Sequence, residues 1–148
     1  MKKILAFICI LTLSLTLVGC NSKNQNTITN HANYDGCELI LNDNATIETL
    51  DNNTKVVKIE AKYINSNEEP LYAYSSFSVR AFQNDTELQD ISDINGENSS
   101  LIQEISNNNE ITVSYTFKIT DESSVKILIG EPTSDQTTIG QKTYFESE

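Results

Sequence analysis

From Ile111 to Ile119 every second residue is apolar: Ile111, Val113, Tyr115, Phe117 and Ile119 alternate with Thr112, Ser114, Thr116 and Lys118. A period of two puts successive side chains on opposite faces, so the segment reads as a strand with one face in a core and the other in water. The same rhythm recurs in "TKVVKIEAKYIN", where Val57, Ile59, Ala61 and Tyr63 face one way and Lys58, Glu60 and Lys62 the other. In "SFSVRAFQ" it sets Phe77, Val79 and Ala81 against Ser78, Arg80 and Phe82. Further strands are expected at "CELILND", "ATIETL", "ELQDI", "SVKILIG" and "TIGQKTYFE", and no segment carries a long helical period.

Polar turns separate these runs. "NSNEEP", "QND", "DINGENS", "SNNN" and "TDESS" supply the Asn, Asp, Gly and Ser that tight turns use. About seven to eight short strands, each with one apolar face, hide those faces by closing two sheets on each other. The expected fold class is therefore all-β, an immunoglobulin-like antiparallel β-sandwich over residues 34–148, with a five- or six-stranded barrel as the alternative. The antibody hallmarks are missing, because the chain has no Trp and no pair of core cysteines.

The N-terminus is of another kind. The apolar run from Ile4 to Val18 would span roughly 22 Å as a helix, short of the ~30 Å hydrocarbon core of a bilayer. Lys2 and Lys3 ahead of it and small residues at its end give the order of a secretory signal peptide, expected over 1–19. The closing "LVGC", Leu17 to Cys20, resembles the lipobox of bacterial lipoproteins in full. That resemblance implies a diacylglyceryl thioether on the Cys20 thiol and cleavage between Gly19 and Cys20; a secreted protein with a chance Cys is the alternative. A thiol is the side chain nucleophilic enough for that bond, and each buried acyl CH₂ adds about 0.8 kcal/mol of membrane affinity. The polar run after Cys20 cannot bury a core, so residues 20–33, His31 included, are expected to form a flexible tether with a reach of about 20 Å. The location implied is the outer side of the cell membrane.

Charge and cysteine count bound the partners. The full chain carries a net charge of -11, and loss of 1–19 removes Lys2 and Lys3 but no acid, leaving -13. Such a field disfavours nucleic acid and anionic headgroups, so a surface protein or wall component is the partner to expect beside the membrane itself. With Cys9 in the signal segment and Cys20 under lipid, Cys37 has no intramolecular partner and reads as a small, half-buried hydrophobe.

The stretches "YINSNEEP", "SFSVRAFQNDTEL" and "EITVSYTFKITDESSVKI" resemble domain of unknown function 5067, a domain of small Gram-positive lipoproteins grouped with immunoglobulin-like secreted domains. The resemblance implies the sandwich fold and the lipoprotein character, and it brings no catalytic residues. Where that pattern commonly has a Pro-Gly turn, this chain has "SNNN", in which Asn must take the left-handed conformation.

No reaction is expected. The adjacent carboxylates Glu68-Glu69 and Asp121-Glu122 sit in loops, where neighbours point apart, and the chain has no nucleophile elbow, Cys/His pair or phosphate loop. No cofactor and no metal are expected: in "DISDINGEN" an EF-hand frame puts Ile91 and Ile102 at ligand positions, which leaves only a loose cation site from Asp90, Asp93, Asn95 and Glu97. The candidate binding residues are Tyr72 and Tyr74 after the Pro70 turn, and Arg80 with Phe82 on the outer face of their strand. Three readings follow: a lipid-anchored binding module, an accessory subunit of a membrane complex with no ligand of its own, and a calcium-assisted adhesion domain.

Overall fold

Alternation fixes the strands, and the strands pair as their apolar faces require. The computed structural model describes residues 29–93, 99–133 and 137–146. The first sheet holds β1 (His31–Tyr34), β2 (Cys37–Thr49), β3 (Lys55–Asn65) and β8 (Asn109–Lys118), in that order. The second runs β10 (Thr138–Tyr144), β9 (Val125–Gly130), β5 (Ser78–Gln83) and β6 (Thr86–Glu87). A ribbon of β4 (Leu71–Tyr72) and β7 (Glu104–Ile105), one helical turn α1 (Ala73–Ser76) and a 3₁₀ turn at Ser100–Ile102 fill one end.

Every pairing is antiparallel. After β6 the chain sends Leu88 into the core and crosses to the first sheet. There Ile91 N–H donates to Thr116 O and Lys118 N–H to Gln89 O. The segment Gln89–Ile91 thus takes the outer place beside β8. Sheet orders β2-β3-β8-(89–91) and β5-β9-β10 are those of the immunoglobulin constant-type sandwich, with β1 and β6 as additions. The chain is all-β and immunoglobulin-like.

The inward rows make the core. Val57, Ile59, Ala61 and Tyr63 of β3 are at most 1% exposed, and Val113, Phe117, Ile127 and Ile129 join them from β8 and β9. Burying each large side chain contributes about 1.5–3 kcal/mol. In place of the Trp and disulfide of antibody domains, the Tyr63 and Phe77 rings meet edge to face at 6.3 Å between the two layers. Cys37 is free and only 2% exposed, fully buried rather than half-buried, because the β1–β2 turn folds it under Asn67.

Three expectations of organisation change. "CELILND" and "ATIETL" form the single strand β2, because the polar "NDN" between them is a bulge: four steps from Leu41 to Ala45 face two steps from Ala61 to Ile59. Two extra residues keep the alternation in phase. "ELQDI" is shared between sheets rather than being one strand. The first strand starts at His31, inside the stretch read as tether. Ala32 is its one fully buried residue, with Tyr34 partly buried against the core on the same face, and β10 approaches it so closely that a Cβ on Gly140 would lie 3.1 Å from Ala32 Cβ. His31 Nε2 stands 2.9 Å from Glu38 Oε2.

The turns follow their chemistry. Asp35-Gly36 and Asn84-Asp85 both have positive φ at the two central positions, the hairpin geometry that matches strand twist. Asn108 in "SNNN" has φ of 56°, the left-handed conformation expected of it.

Candidate binding surfaces

The four candidate residues form two separate pairs. Tyr72 ends β4 and Tyr74 lies in α1; their rings are 6.0 Å apart, and Tyr72 OH donates to Glu104 Oε2 at 3.1 Å. That carboxylate raises the Tyr72 phenol above its ordinary value. Tyr74 is 51% exposed, whereas Tyr72 is half-buried. On the outer face of the second sheet, the Arg80 guanidinium lies 5.4 Å over the Phe82 ring and 3.9 Å from Glu87 Oε2. Cross-strand partners Leu128 and Lys126 extend that row. The remaining exposed large apolar side chains among the described residues are Leu50 and Phe145, so the apolar surface is dispersed.

The end that holds β4 and β7 is built by amides. Asn65 is fully buried; its Nδ2 donates to Glu69 O at 2.9 Å and Ile105 O at 2.8 Å, and its Oδ1 accepts from Asn67 N. Asn67 Nδ2 then donates to Asp35 O, closing the loop onto the β1–β2 turn. Beneath it, Tyr63 OH bridges Cys37 Sγ at 3.2 Å and Ser76 Oγ at 2.8 Å. A cavity of 110 Å³ opens beside Cys37 and Ser76, well below the ~300 Å³ at which small-molecule sites begin. At the opposite end Gln83, 3% exposed, donates to Asp121 O and Ser123 O, while its Oε1 accepts from Thr120 N and Oγ1. Asn65 and Gln83 each continue an inward apolar row by one polar step, and that position was the signal in the sequence that marks them.

Sequence reasoning missed one wide hollow. The β2 bulge opens a space of 580 Å³ on the outer face of the first sheet, lined by Asn42, Asp43, Asn44, Thr46, Glu48, Lys58 and Glu60. Asp43 at its rim accepts from Lys142 Nζ at 2.8 Å, which holds its carboxyl below the usual range. The hollow is open and polar, with three carboxylates to one ammonium.

Cys20 and Gly19 lie outside the described residues, as do Asn95 and Glu97 of the acidic loop. Asp90 Oδ1 accepts from Ser92 N in an Asx turn. Among the described residues no group of three or more His, Cys, Asp or Glu side chains could hold a metal ion, and no helix is long and apolar enough to cross a membrane.

No family model matches the chain, so the resemblance to domain of unknown function 5067 rests on its residues alone. No curated protein matches it either. Among solved structures it is similar to a candidate lipoprotein from Staphylococcus aureus, with a TM-score of 0.59 and 11% identity over 78% of this chain and 87% of that one. It is also similar to the candidate lipoprotein ycdA from Bacillus subtilis, with a TM-score of 0.50 and 12% identity over 78% of this chain. The match takes in 38% of the ycdA chain. At these identities the likeness is one of fold: the sandwich described above is shared with two proteins from Gram-positive bacteria.

Proposed function

We propose that the chain is a non-catalytic, lipid-anchored module on the outer side of the cell membrane, which holds a β-sandwich close to the lipid surface and recognises a surface protein or wall component there. The observation that carries this reading is "LVGC" at the end of a short apolar run, directly ahead of a polar segment and a folded domain. That both fold neighbours are described as candidate lipoproteins supports it. Two acyl chains, esterified to the one glyceryl group that the thioether holds, give stable anchoring where a single chain gives marginal binding. A flexible chain of the length that separates Cys20 from the start of β1 would reach roughly 20 Å, which suits a domain working at the headgroups rather than beyond a thick wall.

Replacing Cys20 with Ala tests the anchor. Membranes and medium are separated and the protein sized: release to the medium or a larger, unprocessed precursor is expected, and unchanged membrane retention at unchanged size refutes the lipid. The accessory-subunit reading draws on the dispersed exposed apolar residues, since Leu50 sits in the β2–β3 turn and Tyr74 by the opposite end. Crosslinking on the native cell surface separates the two. A recognition module captures a partner outside any membrane complex, whereas an accessory subunit captures only its own complex.

A further inference from the structure

β1 begins opposite Ile40 and covers β2 only from there back to Cys37, and Asn30 O accepts from Leu41 N at 2.9 Å. Beyond that point β2 continues through Thr49 with β3 on one side and, among the described residues, no strand on the other. β10 reaches β2 at Asn42 and Asp43, through Tyr144 OH and Lys142 Nζ. Two other margins carry contacts among the described residues. Gln141 N on β10 donates to Thr29 O, and Gln89–Ile91 lies along the end of β8, whose remainder packs against the 3₁₀ turn and β7. Among the described residues, the stretch Ala45–Thr49, "ATIET", therefore presents a row of backbone donors and acceptors with no strand beside it and without the Pro or Lys that commonly blunts an edge.

We propose that this edge of β2 pairs with an extended basic segment of a partner protein, which adds a strand to the first sheet. The inference rests on the recognition half of the proposed function and names its partner's chemistry. Main-chain hydrogen bonds supply affinity in such strand addition, and alternate side chains supply specificity. On the outer face, the added strand's side chains would meet Glu48 and the acidic hollow that Glu60 also lines. On the inner face they would meet Ala45 and Ile47, which are half-buried against the core. The matching segment alternates Lys or Arg with aliphatic residues. A second copy of this chain fits poorly, because antiparallel pairing of two such edges sets the acidic rims of both copies together, and like charges across a pair are destabilising.

The test uses the full chain in a zwitterionic detergent and fluorescence anisotropy of labelled peptides about eight residues long, enough to overhang the edge. A peptide alternating Lys and Val is expected to bind at least tenfold more tightly than one alternating Lys and Pro, which has the same charge but lacks half the donors, and than one alternating Glu and Val. Glu48→Lys, at an exposed position, is expected to weaken the Lys–Val peptide about tenfold, and the amides of Ala45 to Thr49 to gain protection from hydrogen exchange on binding. Equal binding of the Lys–Val and Lys–Pro peptides, indifference to Glu48→Lys, or no binding at all because the chain's own preceding segment fills the edge would each overturn the proposal. Membrane retention through Cys20 is read separately, so failure here leaves the anchor untouched.

Discussion

Two buried side chains behave oppositely. Asn65 spends both amide hydrogens on the carbonyls of Glu69 and Ile105 and its oxygen on Asn67 N, so three backbone groups depend on one residue. Asn65→Ala leaves those groups short of partners inside the fold, at a cost of about 1–3 kcal/mol, and Asn65→Asp loses both donated bonds and adds a charge where no cation stands. Urea denaturation should show both variants destabilised, with Asp the worse; a midpoint unchanged in Asn65→Ala would mean that the loop does not depend on the amide. Tyr115 is the reverse case. The residue is 5% exposed, its hydroxyl is buried, and among the described residues that hydroxyl finds no hydrogen-bond partner. Because an unsatisfied buried hydroxyl carries its desolvation penalty with nothing to offset it, Tyr115→Phe should be neutral or stabilising by up to about 1 kcal/mol. A clear loss in the same denaturation assay would show that the hydroxyl has a partner.

At the level of elements, β2 shows how an insertion can leave a fold unchanged. Its bulge holds two residues more than β3 opposes, so Leu39 and Leu41 before it and Ala45 and Ile47 after it all face the core. Deleting Asp43 alone removes one step and turns one half of the strand inside out, whereas deleting Asp43 and Asn44 together restores an even count. The single deletion should abolish cooperative thermal unfolding, and the double deletion should retain it with a loss of a few kcal/mol, since only the Lys142 ion pair and bulge contacts go. Equal damage from both would show that phase is not what the bulge protects. The same element marks the boundary of what the sequence discloses. Period-two rows at β3, β5 and β8 were legible because half-buried strands write their environment directly into residue type. "NDN" was not, because Asn and Asp serve turns and bulges alike. β1 was hidden for a different reason: a four-residue strand whose inward face holds one buried Ala and one partly buried Tyr has too little apolar content to differ from a linker. The aromatic candidates were named one by one from the sequence, and their division into two pairs depends on the fold that separates β4 from the outer face of β5.

The molecule as a whole has an alkaline weakness that follows from how it packs without Trp or a disulfide. Tyr63, Tyr115 and Tyr144 fill its core and margin, each at most 5% exposed. Burial lifts all three phenols well above their ordinary value, helped by hydrogen bonding to Cys37 for Tyr63, by the Asp90 carboxylate for Tyr115 and by Asp43 for Tyr144. In the unfolded chain these phenols ionise near pH ~10, while in the folded chain they stay protonated. Above that pH the unfolded state binds fewer protons than the native one, so stability is intact below about pH 10 and falls as the pH rises past it. Each tyrosine contributes a limiting slope of about 1.4 kcal/mol per pH unit. Urea unfolding followed by far-ultraviolet circular dichroism at several values between about pH 8 and pH 12 should therefore give a flat region and then a decline approaching three protons. Tyr115→Phe isolates one of the three, because it removes a titrating group from the unfolded state while leaving the ring in place. Its decline should be shallower than that of the parent by one proton. A parent curve that stays flat through pH ~11, or a Tyr115→Phe curve that overlays it, would show that these phenols ionise in the folded protein as readily as in the unfolded one.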